Sequence, residues 1–208
     1  MSYKIITINR EFESEGSEIA QDVAKRLHLP YYDKFLITES AEQSGISLHN
    51  VERTDEQLES RFEYSRAAAT YQYSGGDSPL PTGARVAQVQ FDLIRQLAEE
   101  GPCVIVGRCA GHILRERDDV LNVFIHASLE SRISRTMSRL SLSEAQAARV
   151  LKQTDKARKG YYKKYTDRDW NDPDQYAMIL NTDILSEEVC AEMICELYQL
   201  ILILQKDA

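Results

Sequence analysis

The sequence has little of what builds a metal centre, a disulfide scaffold or a membrane span. It has four cysteines, with no Cys-x-x-Cys pair and no Cys/His ligand spacing: Cys103, Cys109, Cys190 and Cys195. We therefore expect reduced, mostly buried thiols. The longest apolar stretch, from Leu197 to Leu204, is about eight residues long, whereas a membrane span needs roughly 20. The absence of a signal-peptide pattern at the start predicts a cytoplasmic protein.

The charge balance is one-sided. The net charge is −8 at pH 7, from 25 Lys and Arg against 33 Asp and Glu. An acidic chain repels a polynucleotide, so we expect no nucleic-acid partner, and no membrane partner either. A small anionic ligand still fits wherever basic residues are locally concentrated. The composition therefore favours a small-molecule partner.

Short apolar runs predict the strands. Four of them, rich in Val, Ile or Leu, lack polar alternation and are typical of buried strands: Lys4–Asn9, Cys103–Gly107, Leu121–His126 and Ala177–Asn181. A fifth, very short strand is predicted at Pro30–Asp33. Helical patterns separate the strands, so we predict one three-layer α/β domain over residues 1–208. Its parallel sheet has about five strands, with helices on both faces.

Apolar spacing and capping signals predict the helices. One apolar helix face runs through residues 19–27 and another through residues 86–97. Ser143 with Gln146 forms a capping box that begins a long polar helix. Between residues 47 and 83 the pattern loosens, and the Gly, Ser and Pro content there predicts a flexible insert beside the active face.

The last helix carries the most apolar sequence in the chain. Ser186 is its predicted N-cap. Its predicted apolar face includes Val189, Met193, Leu197 and Leu204. This helix either packs on the sheet or forms the interface of a homodimer, and the sequence leaves both open.

The segment Arg10–Ser17, which follows the first strand, is a candidate phosphate-binding loop. Such a loop needs glycines so that backbone N–H groups converge on an anion, usually with a lysine that reaches the terminal phosphates. Here Gly16 is the only glycine, no lysine is present, and carboxylates stand at Glu11, Glu13, Glu15 and Glu18. From the residues alone, a phosphate loop and an ordinary strand-to-helix turn both remain open.

Two further signals follow predicted strands. Gly107-Arg108, with Gly111 nearby, combines room for the chain to turn with a guanidinium fork that can hold a phosphate. The alternative for Arg108 is an ion pair at the sheet edge. Asp33-Lys34 follows the short second strand, and a helix N-cap is the simplest role for Asp33.

Cations concentrate in the last third of this acidic chain, at Arg132, Arg135, Lys152, Lys156, Arg158, Lys159, Lys163, Lys164 and Arg168. Phosphoryl transfer needs cations around the migrating group, because its charge lies on the phosphate oxygens. The alternative is a solvated helix with many surface charges.

A set of motifs stands in order along nearly the whole chain: Arg10–Phe12 with Ile19-Ala20, Leu27 and Pro30–Lys34, then Val104–Gly111, Phe124–Arg132, Thr154–Tyr162 and Asn181–Asp183. In this order the motifs resemble the cytidylate kinase-like family of bacterial proteins. In that family the first loop usually reads Arg-Glu-Phe/Tyr-Gly-Ser-Gly-Gly-Arg-Glu-Ile. Together the motifs are fairly specific.

The resemblance implies a P-loop kinase fold and phosphoryl transfer from ATP, with Mg²⁺, to a nucleoside monophosphate, CMP or dCMP first. It also implies a mobile lid at about residues 150–170. Donor phosphates would be held around Arg10, Ser14, Gly16 and Ser17, and the acceptor by Asp33, Lys34 and Arg108. Arg132, Asp155, Lys156 and Arg158 would stabilise the transferring group, and no residue is assigned as a metal ligand.

The chain departs from the family pattern at four positions that bear on activity. The loop glycines are replaced by Glu13 and Glu15, the family arginine by Ser17, and an aspartate of cytidylate kinases by Val106. Two like charges about 4 Å apart repel by roughly 4 kcal/mol at an effective dielectric of about 20, so the glutamates disfavour ATP, and with it the Mg²⁺ that ATP would bring. The sequence therefore leaves three alternatives: an active nucleoside monophosphate kinase, a catalytically impaired descendant that binds a ligand or protein, and a kinase for another small molecule.

Overall fold

The computed structural model describes residues 4–33, 42 and 82–204, in which strands and helices alternate. The first part contains β1 (Ile5–Arg10), α1 (Gly16–Leu27) and β2 (Tyr31–Tyr32). The second contains α2 (Thr82–Glu100), β3 (Cys103–Val106), α3 (Ala110–Ile113), β4 (Val120–His126), α4 (Leu129–Leu140), α5 (Glu144–Thr166), a 3-10 turn (Pro173–Gln175), β5 (Met178–Asn181) and α6 (Glu187–Leu204). Of the predicted insert, residues 47–81 lie outside the described residues.

The five strands form one parallel sheet in the order β2-β3-β1-β4-β5. β1 is central, with Ile5 opposite Cys103 of β3 on one side and opposite Val120 of β4 on the other. Because all strands run the same way, their carboxyl ends share one edge of the sheet. The segments that follow β1, β3 and β4 therefore meet there, and the predicted fold class is confirmed.

Alternating side chains of β1 build the two faces of the core. Ile6 and Ile8 are fully buried with α1 and with residues of α6. Ile5 points to the opposite face, where it packs with residues of α2 and α3. This period-two alternation places helices on both sides of the sheet, as the three-layer prediction requires.

The predicted helix starts are confirmed where the structure describes them. Ser143 and Gln146 form both hydrogen bonds of a capping box at the start of α5. Ser186 Oγ accepts from the Val189 N–H at 3.3 Å at the start of α6. α5 continues as one helix through most of the predicted lid segment at 150–170, and closure of that segment stays a prediction.

The predicted apolar face of α6 is partly wrong. Leu197 packs against the core as predicted, but Val189 and Met193 are 44% and 38% exposed. The buried face is made of Cys190, Ala191, Ile194, Cys195 and Tyr198. α6 packs against α1. No helix in the described part of the chain is long and apolar enough to cross a membrane.

Candidate functional site

The phosphate loop, residues Arg10–Ser17, keeps a glycine-like backbone although its glycines are replaced. Glu13 has φ 55° and Glu15 has φ 64°, both in the left-handed region that glycine adopts without penalty. A Cβ atom on Gly16 would lie 2.4 Å from Cβ of Arg10, so the loop requires glycine there. Glu15 is the N-cap of α1 and makes no side-chain capping hydrogen bond to the described residues. Its carboxylate therefore does not occupy the N–H groups that an anion would use.

The side chain of Ser14 holds the loop down. Ser14 is fully buried, and its hydroxyl donates to the carbonyl oxygens of Glu11 at 2.9 Å and Ile125 at 3.2 Å. Thr182 Oγ1 donates to the Ser14 carbonyl at 3.3 Å. These hydrogen bonds attach the loop to the ends of β4 and β5, so the Ser14 hydroxyl has a structural role.

The loop carboxylates pair with arginines of α4. Arg135 Nε lies 3.0 Å from Glu15, and Arg139 Nη1 lies 3.4 Å from Glu13 and 3.1 Å from Glu18. Arg135 also donates to the carbonyl oxygen of Glu13 at 3.3 Å. The carboxylates of Glu13 and Glu18 raise the pKa of Arg139, whereas burial raises the pKa of Glu15. These ion pairs offset the repulsion that we expected between the glutamates and a phosphate.

A buried ion network ties the loop to α4 and α5. Arg132 is 6% exposed; its Nη1 lies 2.5 Å from Asp155 and its Nε lies 3.3 Å from Glu11. Arg132 Nη1 donates to the Phe12 carbonyl at 3.2 Å, and Asp155 accepts from the Phe12 N–H at 2.9 Å. Arg132 and Asp155, two predicted catalytic residues, therefore lie where they position the loop backbone.

Three arginines from three elements converge beside the loop, and we call Arg10, Arg108 and Arg158 the arginine cluster. Arg158 Nη1 donates to the Arg10 carbonyl at 3.1 Å, and its guanidinium stands 5.7 Å from the centre of the Phe12 ring. Burial, followed by the charges of Arg10 and Arg108, lowers the pKa of Arg158 to about 9. Neighbouring positive charges that disfavour one another are stabilised by an anion.

The environment of Arg10 links the predicted donor and acceptor residues. Its Nε donates to Ser17 Oγ at 3.3 Å, and its Nη2 faces Asp33 at 3.5 Å. Gly107 has φ 74°, and a Cβ atom there would lie 2.5 Å from Arg10 Nη1. Glycine suits this position because other residues are strained at such a φ, and a Cβ atom would push the Arg10 guanidinium aside. The helix that Asp33 was predicted to cap lies outside the described residues.

One predicted site residue is not brought into this arrangement: Lys156 is exposed on α5, next to the buried Asp155. Lys34, another predicted site residue, lies outside the described residues. Gly107, Arg108 and Cys109 have φ of 74°, 54° and 60°, so three successive left-handed residues turn the chain after β3. No group of three or more His, Cys, Asp or Glu in the described ranges could hold a metal ion by itself.

Sequence reasoning missed Gln90 of α2. Gln90 is 1% exposed, and its Oε1 accepts from the Tyr161 hydroxyl at 3.0 Å. Its Nε2 has no hydrogen-bond partner among the described residues. A signal was present, because Gln90 stands between Val86 and Leu93 on an apolar helix face. The partners of the loop glutamates, Arg135 and Arg139, carried no such local signal.

Comparison with known proteins gives a family and a fold. A model of the cytidylate kinase-like family matches residues 5–184. No curated protein matches the chain. A crystal structure of an uncharacterized protein from Eubacterium ventriosum ATCC 27560 is 26% identical, with a TM-score of 0.68 over 94% of this chain and 98% of that one.

Two kinases share the fold at lower identity. Shikimate kinase from Bacteroides thetaiotaomicron is 14% identical, with a TM-score of 0.52 over 94% of this chain and 98% of that one. A gluconokinase from Sinorhizobium meliloti 1021 is 12% identical, with a TM-score of 0.53 over 100% of this chain and 99% of that one. At such identities the likeness shows the P-loop kinase fold alone.

Proposed function

This chain belongs to the cytidylate kinase-like family, and from that premise we propose that it transfers a phosphoryl group from ATP to a nucleoside monophosphate, with CMP or dCMP as the first candidate acceptor. The family supports a phosphotransferase. The identity of the donor and acceptor is the part of the proposal that remains to be tested.

The observation that carries the proposal is the arginine cluster beside a loop with a glycine-like backbone. Arg10, Arg108 and Arg158 come from β1, the turn after β3, and α5, and they meet at the carboxyl edge of the sheet. Guanidinium groups bind phosphate oxygens with two parallel hydrogen bonds. Asp33 and Asp155 offset part of the positive charge of the arginine cluster, and the positive charge that remains would attract an anion.

The N-terminus of α1 and the arginine cluster suit different phosphates. The N-terminus of α1, with Gly16 and Ser17, offers N–H groups and a positive helix dipole to the donor phosphates. Arg108 and Arg158 suit the acceptor phosphate, and their charge would also stabilise the transferring group. Mg²⁺ would enter with ATP and would supply positive charge to the donor phosphates.

The loop glutamates do not exclude this function. Glu13 and Glu15 face Arg139 and Arg135 of α4 at ion-pair distance, and Glu13 is only 7% exposed. An ion pair removes most of the field that a lone carboxylate would exert on a nearby phosphate. The missing family arginine at Ser17 is a different matter, since its hydroxyl accepts from Arg10 and supplies no charge. We therefore expect weakened ATP binding, with turnover retained.

The test is ADP formation by the purified protein with Mg-ATP and CMP, dCMP, other nucleoside monophosphates, shikimate or gluconate. We expect turnover that depends on a nucleoside monophosphate. Arg158→Gln should lower kcat/KM on the order of a hundredfold, the usual cost of removing one group that stabilises transition-state charge. The control is Arg149→Gln, which removes an exposed arginine from the same helix and should change kcat/KM by less than about twofold.

The outcomes separate the three alternatives. ADP release that needs CMP or dCMP supports the proposal, and release with another acceptor identifies a different small-molecule kinase. Binding of CMP without ADP release, measured by titration calorimetry, would contradict it in favour of an impaired descendant. In that case the double change Glu13→Gly with Glu15→Gly shows whether ATP affinity can be restored.

A further inference from the structure

Gln90 carries a cost that packing alone does not explain. Its side chain is buried among the apolar residues of α2, with a donor group that has no partner in the described part of the chain. A buried donor left without a partner destabilises a protein by about 1–3 kcal/mol, and few native groups remain in that state. A Leu or Met at this position would avoid the cost. The amide is thus a candidate for contact with a ligand.

The orientation of this amide is fixed by its neighbours. The Tyr161 hydroxyl donates to Gln90 Oε1 at 3.0 Å, so the Nε2 group is the end left over. Tyr161 packs on Tyr165 with ring centres 4.7 Å apart, and Tyr165 meets Phe91 edge-on at 5.4 Å. These aromatic contacts between α2 and α5 hold Tyr161 in place, and its hydrogen bond in turn holds Gln90.

Tyr161 links Gln90 to the helix that carries Arg158. Tyr161 follows Arg158 by three residues in α5, so the two side chains share one helix face with Cβ atoms about 5–6 Å apart. Gln90 is one hydrogen bond beyond Tyr161. Tyr161 and Gln90 thus lie on the side of α5 that carries Arg158.

We propose that Gln90 Nε2, held by Tyr161, donates a hydrogen bond to the base of the nucleoside monophosphate acceptor. This inference rests on the proposed function. Every nucleobase presents an acceptor for an amide N–H, either a ring nitrogen or an exocyclic carbonyl oxygen, whereas a sugar phosphate without a base presents none at that end. A site built around an otherwise unpaired donor discriminates against ligands that leave it unpaired. The arginine cluster would bind the phosphate, and Gln90 would select for a ligand that carries a base.

The experiment compares CMP with ribose 5-phosphate, which has the phosphate and sugar but no base, by titration calorimetry. Gln90→Met keeps the size of the side chain and removes its polar end. We expect this variant to bind CMP roughly tenfold more weakly than the wild type, the usual effect of one lost hydrogen bond, and to bind ribose 5-phosphate unchanged. The control is Gln96→Met, an exposed glutamine of the same helix that bonds only to Glu100. It should leave both affinities unchanged.

Urea unfolding separates ligand contact from a structural role. Gln90→Met removes an unpaired buried donor, which favours stability, and also takes the acceptor from the Tyr161 hydroxyl, which opposes it, so we expect its unfolding midpoint to stay close to that of the wild type. A clearly lower midpoint together with weaker binding of both ligands would mean that Gln90 only supports the fold, and would overturn the inference. So would equal CMP affinities of Gln90→Met and Gln96→Met. If the wild type binds no nucleoside monophosphate, the proposed function fails and this inference fails with it. Gln90→Leu repeats the test should the Met variant fold poorly.

Discussion

At the scale of single residues, Glu15 shows how a loop can lose its glycines and keep its shape. Its φ of 64° is a conformation that costs a non-glycine residue about 1–2 kcal/mol. The ion pair with Arg135 at 3.0 Å offsets part of that cost. The loop thus keeps the backbone conformation that a phosphate requires, while an arginine of α4 neutralises the carboxylate that would repel a phosphate.

Backbone strain at Glu15 can be measured by paired substitutions. Glu15→Ala and Glu15→Gly both remove the ion pair, but only glycine relieves the left-handed conformation. We expect Glu15→Gly to be more stable than Glu15→Ala by about 1 kcal/mol in urea unfolding. The same pair at Glu18, which lies inside α1, should show the reverse order, because glycine in a helix costs about 1 kcal/mol relative to alanine. Equal stabilities at Glu15 would show that the strain is absent.

The sequence predicted which loop residues matter, but not where their side chains go. The order of strand, loop and helix around Gly16 is local, so the pattern of residues 4–27 was enough to place the loop. The partners of Glu13 and Glu15 lie more than a hundred residues away on α4, and helical spacing cannot say which surface an arginine faces. For that reason the carboxylates were expected to act on the phosphate, whereas the structure shows them paired.

At the scale of secondary-structure elements, Arg132 joins three parts of the fold. It reaches from α4 to Asp155 of α5 and to Glu11 and Phe12 of the loop. The network therefore fixes the position of α5 relative to the loop, and so places Arg158 in the arginine cluster.

Breaking this network should be costly. Arg132→Met leaves Glu11 and Asp155 without their shared cation, and the loss of one partner of a buried pair costs about 3–5 kcal/mol. We expect the free energy of unfolding, measured by urea titration, to fall by about 3 kcal/mol. Arg95→Met is the control, because Arg95 and its partner Asp92 are 54% and 62% exposed and a surface pair of this kind should be worth less than about 1 kcal/mol. Similar losses in both variants would contradict a special role for Arg132.

The strands were easier to predict than the helix faces. β1 and β3 are short apolar runs that are buried on both faces of the sheet, whereas β4 and the edge strand β5 are apolar runs that are partly buried. Their apolar sequence placed all four strands to within a residue or so of their bounds. α6 is apolar nearly all round, so its sequence does not mark the side that packs. Packing against α1 decides that side, through Cys190, Ala191 and Ile194. This contact between distant segments was not visible in the local pattern.

At the scale of the whole molecule, the net charge of −8 conceals an uneven distribution. Around the loop, six arginines stand with carboxylates of the loop, Asp33 and Asp155, so this region is close to charge balance on an acidic protein. A region less negative than the rest of the surface favours a small anion over a polynucleotide. The fold class followed from the sequence, whereas the ion pairs of this region required the structure.

The exposed apolar residues of α6 bear on the assembly of the molecule. Val189, Met193 and Leu200 are 44%, 38% and 52% exposed, and their spacing places them along one side of the helix. We propose that this row forms the interface of a homodimer, since two copies related by a two-fold axis would bury their apolar rows against each other. The negative charge of each chain opposes association, so raising the salt concentration should strengthen it by screening.

Sedimentation equilibrium tests this assembly directly. We expect the wild type to dimerise in a concentration-dependent manner, and Met193→Glu to weaken dimerisation at least about tenfold, because it adds a charge that must be desolvated in the interface. Ile184→Glu makes the same kind of change at an 80% exposed position in the turn before α6, away from the row, and should dimerise like the wild type. A wild type that stays monomeric at high salt would refute the interface, and equal effects of the two substitutions would place it elsewhere on the surface.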